Sequence, residues 1–110
     1  MSDEPTILVE FSMSPLGKGE SVSPYVARAL DIIDNSGLDY ELHSLGTIIE
    51  GQWSEVMEVL KQCHQAMEKN CDRITTTMKM DYRAGASGRI QGKVSSVEDK
   101  VGRKLQTQKE

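Results

Sequence analysis

No stretch of this chain approaches the roughly 20 consecutive apolar residues that a membrane-spanning helix needs, which argues against a helical membrane protein. Cysteine is scarce: Cys63 and Cys71 are the only two. On one continuous helix they would stand about 12 Å apart, beyond the Cα separation of about 7 Å that a disulfide tolerates. Two reduced thiols are the expectation. Basic charge is in deficit, with 13 Lys and Arg against 17 Asp and Glu and a net charge of −4. That balance argues against binding a phosphate backbone, so no nucleic-acid partner is expected. The first ten residues have neither a basic start nor an apolar core of the signal-peptide kind, and a cytoplasmic location is expected.

What is present suits a small globular protein. The 110 residues, 37% of them hydrophobic and 27% charged, are read as one domain over residues 1–110, with a core from about 7 to 105 and flexible ends at 1–6 and 106–110. Ile7, Val9, Phe11 and Met13 alternate with Leu8, Glu10, Ser12 and Ser14, the period of a strand. Ser23-Pro24 is a helix start, followed by Val26, Leu30 and Ile33 at helical spacing and a stop at Asn35-Ser-Gly37. Residues 40–50 read as a tight hairpin turning at Gly46. From Trp53, the positions Val56, Met57, Leu60, Cys63/His64 and Met67 form an amphipathic helix, and Ile74, Thr76, Met78, Met80 and Tyr82 alternate as a last strand. Residues 83–94 read as a loop; Ser95 and Glu98 have capping-box spacing ahead of a short C-terminal helix with the narrow apolar line Val97, Val101, Leu105.

The order β-α-β-β-α-β gives an α+β fold, a ferredoxin-like sandwich with sheet order 4-1-3-2 and an appended C-terminal helix. Strands 1 and 3 are expected to lie side by side in parallel. The sheet face away from the helices would carry Glu10, Ser12 and Ser14, Thr75, Thr77 and Lys79, and either Ile48 with Glu50 or Thr47 with Ile49.

Several constellations bear on chemistry. Glu50 and Trp53 are either a carboxylate and an indole at one pocket rim, suited to a cationic or amino-heteroaromatic ligand, or a solvated glutamate and a core tryptophan. His64, beside Cys63 and one turn before Glu68, is read as a packed histidine under the sheet rather than a metal ligand or half of a nucleophile pair. His43 is read as an exposed or interface side chain. Gly85-Ala-Ser-Gly88-Arg89 lacks the strand and helix order of a phosphate-binding loop. Residues 83–104 hold six basic side chains against Glu98 and Asp99, a basic patch in an acidic chain that reads as a solvated face.

Taken in order, Ser12-Met-Ser-Pro-Leu-Gly17, Ser21-Val-Ser-Pro-Tyr-Val26, Ser36-Gly-Leu-Asp-Tyr-Glu-Leu42, Gly46-Thr-Ile-Ile-Glu-Gly51 and Thr75-Thr-Thr-Met-Lys-Met-Asp-Tyr-Arg83 resemble the small thiamine-binding protein family. The resemblance covers about residues 7 to 105. It departs in the long loop from Arg83 to Gly92. The resemblance implies a ferredoxin-like fold, homodimers or homotetramers joined through sheet faces or edges, no cofactor, and binding of thiamine or its hydroxymethylpyrimidine moiety without catalysis. Carried onto this chain, it implies a pocket lined by Ser12, Thr47, Glu50 and Lys79, with Trp53 and Asp81 near its rim. Two other readings compete. One is a structural or regulatory module that binds no small molecule; the other is an enzyme using His43 or His64 with Glu10 or Glu50, for which the fold alone is an analogy.

Overall fold

The computed structural model describes residues 4–17 and 23–107. The elements are β1 (Thr6–Pro15), α1 (Ser23–Asn35), β2 (Asp39–His43), β3 (Gly46–Gln52), α2 (Trp53–Glu68), β4 (Ile74–Tyr82) and α3 (Arg89–Val101). The expected break at residues 15–19 and the flexible ends fall partly outside the described residues. Glu4 and Pro5 are tied down: the Glu4 carboxylate accepts from the Ser54 N–H at 2.8 Å, and the Pro5 carbonyl from the Trp53 N–H at 3.0 Å. These contacts satisfy donors at the start of α2 that the helix cannot satisfy itself.

The four strands form one sheet in the order β2-β3-β1-β4, the expected order read from the other edge. Every pairing is antiparallel, including β1 with β3, so the parallel β1/β3 pairing expected from the sequence is corrected. The reason is connectivity. The β2–β3 hairpin reverses the chain once more after the first crossover, which leaves β3 running against β1.

Opposed residues in an antiparallel pair share a face, so the register sorts the side chains. Ile7, Val9, Phe11 and Met13 face α1 and α2 together with Ile49 and Thr47. They pack with Ala29, Ile33, Val56, Val59, Cys63 and Met67 into the main core. The other face carries Leu8, Glu10 and Ser12, with Ile48 and Glu50 from β3, Asp39 and Glu41 from β2, and Lys79 and Asp81 from β4. That settles the open choice on β3 in favour of Ile48 with Glu50.

Three local readings change. Helix α3 begins at Arg89 rather than near Ser95, because its first turn is capped from β3 and not by Ser95. His64 is not under the sheet: its side chain is 50% exposed and sits 3.9 Å from Glu68. Cys63 occupies the buried slot, and the next residue on a helix points about 100° away. The hairpin turns at Ser44-Leu45, and Gly46 already pairs with His43 as the first residue of β3. A Cβ on Gly46 would lie 2.9 Å from the Phe11 carbonyl oxygen, so glycine is what lets β3 reach β1 there.

Candidate functional site

Pairing of β1 with β3 stops at Phe11↔Thr47, whereas pairing with β4 continues to Pro15↔Ile74. From Ser12 onward the β3-side edge of β1 therefore borders a cavity instead of a strand. The cavity measures about 260 Å³ and lies between this edge, α1 and the hairpin tip. Phe11, Met13, Val26, Leu30 and Leu42 give it apolar walls; Ser12, Ser14, His43, Ser44 and Thr47 bring polar groups. No Asp, Glu, Lys or Arg is among the described residues that line it. Thr47 is only 4% exposed. Leu45, at the hairpin tip beside the mouth, is 92% exposed, unusual for a large apolar side chain at a turn where small polar residues are the rule.

The structure divides the six residues expected to form one pocket among three places. Thr47 and the strand edge at Ser12 border this cavity, although the Ser12 side chain belongs to the other sheet face. Trp53 stands apart as the half-exposed first residue of α2. Glu50, Lys79 and Asp81 are on the opposite sheet face, where Glu50 and Asp81 hold α3. One oxygen of the Glu50 carboxylate accepts the Arg89 N–H at 2.9 Å and the Ile90 N–H at 3.2 Å, and the other is also 2.9 Å from the Arg89 N–H. This is an anion at the positive end of a helix, supplied from 39 residues away in sequence. It explains how a glutamate only 5% exposed is accommodated on a sheet face. Gly88 enters the helix at φ 63°, a left-handed conformation that glycine adopts without a Cβ clash.

Asp81 receives the Arg89 guanidinium at 2.6 Å and the Lys93 ammonium at 2.7 Å. The hydrogen bonds from Lys93 and then Arg89 hold its carboxyl down at about 2. Lys79, exposed, lies opposite Glu10 in the register. Burial pushes the Cys63 thiol up to about 11, leaving it protonated and unreactive at neutral pH. Its sulfur lies 3.6 Å from the Ala29 carbonyl oxygen. The Tyr40 hydroxyl is raised above its ordinary value by its hydrogen bond to Asp34, 2.8 Å long. At the cavity, His43 Nε2 lies 3.4 Å from a Glu41 carboxylate oxygen. Among the described residues no cluster of His, Cys, Asp and Glu could hold a metal ion, and no helix is long and apolar enough to cross a membrane.

Sequence reasoning missed the hairpin and α1 side of the cavity: Val26, Leu30, Leu42, His43 and Ser44. The cavity exists because β1, at 10 residues, outruns β3, at 7, a mismatch that periodicity does not reveal. The available signal was Leu45, an apolar residue at a predicted turn.

A four-stranded antiparallel sheet covered on one face by two helices, with a cavity where the central strands part, defines a ferredoxin-like α+β sandwich. Within that class the chain belongs to the thiamine-binding protein family, whose model matches residues 9–98. Among its relatives are the UPF0045 protein MJ1052 of Methanocaldococcus jannaschii, 32% identical over 91 residues, which span 83% of this chain and 91% of that protein. The UPF0045 protein ECM15 of Eremothecium gossypii is 41% identical over 96 residues, covering 86% and 91% of the two chains. The crystal structure of MJ1052 superposes with a TM-score of 0.79 at 30% identity, covering 86% of this chain and 98% of that one. A Thermotoga maritima protein, provisionally described as a thiamine biosynthesis/salvage protein, superposes with a TM-score of 0.74 at 27% identity, covering 84% and 99%.

Proposed function

We propose that the protein binds thiamine or its hydroxymethylpyrimidine moiety without catalysing a reaction, as a cytoplasmic homo-oligomer, and that the binding site is the cavity at the hairpin end of β1. The observation that carries this reading is the strand edge from Ser12 to Ser14 bordering an apolar-walled cavity, with no Asp, Glu, Lys or Arg among the described residues that line it. A strand edge presents backbone N–H donors and carbonyl acceptors in alternation. An aminopyrimidine presents the complement, an exocyclic N–H next to a ring nitrogen that accepts. Its flat ring suits walls made of Phe11, Met13 and Leu30. The family to which the chain belongs supports the same ligand class.

In this reading Ser12 and Thr47 are binding residues. Glu50 and Asp81 serve the fold by seating α3, and Lys79 and Trp53 stay outside the contact. The thiazolium ring of thiamine, a cation, finds no carboxylate among the described lining residues and would sit toward the mouth, where Glu41 stands behind His43. Titration calorimetry with hydroxymethylpyrimidine and with thiamine tests the proposal. One saturable site per chain, weakened in Thr47→Val and unchanged in Lys79→Ala, is the expected result. Binding that is lost in Lys79→Ala and kept in Thr47→Val would move the site to the opposite sheet face.

A further inference from the structure

The cavity beside the hairpin is not closed by its own walls. Leu42 and Leu45, two of the residues that line it, are 45% and 92% exposed. Its volume of about 260 Å³ lies just under the roughly 300–1,000 Å³ of clefts for drug-sized molecules, and such clefts bury about 70–90% of the surface of what they hold. A cavity of this size takes one heteroaromatic ring. A ring seated there meets Phe11, Met13 and Leu30 within and water at the mouth. Apolar surface left in that water gains nothing from binding, so a tight complex needs a cover on that side.

The hairpin tip is built to supply one. The β2–β3 ladder ends at His43↔Gly46, and β3 follows β1 no further than Phe11↔Thr47. Ser44 and Leu45 form the turn and take part in neither ladder, so a change confined to these two residues leaves the sheet as it is. Gly46 marks where such a change stops. It lies so close against β1 that a Cβ there would come within 2.9 Å of the Phe11 carbonyl oxygen, which holds this end of β3 in place. Among the described residues no other large apolar side chain is more than 57% exposed, and Leu45 stands at the mouth of the cavity.

We infer that Leu45 is a lid that selects by ring number: it folds over a single-ring pyrimidine and closes the mouth, whereas a second ring passing through the mouth holds it out. The inference rests on the cavity being the pyrimidine site. Thiamine carries its thiazolium one methylene away from the pyrimidine. With the pyrimidine inside, the thiazolium takes the place that Leu45 needs. Closure therefore adds the burial of one leucine side chain to the binding of hydroxymethylpyrimidine and adds nothing to the binding of thiamine.

Calorimetric titration of both compounds into wild type, Leu45→Ala and Val97→Ala tests this. Leu45→Ala should weaken hydroxymethylpyrimidine about tenfold and thiamine less than about threefold, so that the preference between them shifts. Val97→Ala, an equally exposed apolar site on α3, should leave both affinities unchanged. Amide hydrogen exchange at Leu45 and Gly46 should slow when hydroxymethylpyrimidine saturates the wild-type chain and stay fast with thiamine. Wild-type binding that Leu45→Ala leaves intact overturns the lid and keeps the cavity as the site. An equal loss for both compounds, or a loss with unchanged exchange at the tip, makes Leu45 an ordinary wall and overturns the selection. A folded wild-type chain that binds neither compound overturns the site reading itself, and the lid with it.

Discussion

Glu50 separates what a residue type suggests from what its position makes it do. A buried carboxylate between glycines suggests a counter-charge for a cationic ligand, yet here both oxygens accept the amides that open α3. Charged acceptors at such positions contribute about 1–3 kcal/mol. Glu50→Gln keeps an acceptor but not the charge, and Glu50→Ala removes both. Amide hydrogen exchange over residues 89–95 should therefore speed up in the order wild type, Gln, Ala, with pyrimidine affinity unchanged. A loss of affinity without faster exchange would return Glu50 to the ligand site. Asp81 yields a pH dependence. Its carboxyl is held down at about 2 by Lys93 and Arg89, against an ordinary value of about 3.9. A depressed pKa means that the stability Asp81 contributes is complete above about pH 4 and is lost as the pH falls through about 2. The side chain is 42% exposed, so solvent screening keeps the effect small. The difference in denaturation midpoint between wild type and Asp81→Asn should shrink steadily across that acid window. A gap that is constant from pH 6 to about 2 would contradict the assignment.

At the scale of elements, most of the fold was legible and its one appended helix was misplaced. Strand period in residues 7–14 and helical period from Trp53 are local signals backed by burial, and both elements formed where the pattern put them. The start of α3 was not legible locally. Ser95 and Glu98 have the spacing of a capping box, but both lie inside the helix, and the true cap is 39 residues away. Glu98 folds the tail back instead. Its carboxylate accepts the Leu105 N–H at 2.7 Å, and Gly102 turns left-handed to donate to the Glu98 carbonyl at 2.8 Å. Glu98→Ala should free the segment from Gly102 to Leu105 and cost about 1–2 kcal/mol, seen as faster exchange of the Leu105 amide with the sheet protected as before. Unchanged exchange at Leu105 would rule out that clasp. The cavity failed to show in the sequence for a related reason. Ser12 and Thr47 sit on recognisable strands, but the site arises because β3 ends short of β1, which is a matter of register.

For the molecule as a whole, the sheet separates two tasks. Its helix-covered face holds the core and ends in the cavity; its other face holds the first turns of α3, while Val97 and Val101 further along that helix stay exposed. The residues expected to form one pocket were drawn from both faces, since alternation in a strand tells which side chains share a face but not which face meets the ligand. Glu50 and Thr47, three positions apart on β3, necessarily point to opposite faces. The central claim is that the cavity bounded by Ser12, Thr47 and the hairpin tip holds an aminopyrimidine. Its most direct test is calorimetric titration of hydroxymethylpyrimidine into the wild-type chain and into Thr47→Val. We predict saturable binding at one site per chain, weakened about tenfold in the variant, the equivalent of one lost hydrogen bond. Absence of binding to a folded wild-type chain, or equal affinity in the two proteins, would contradict it.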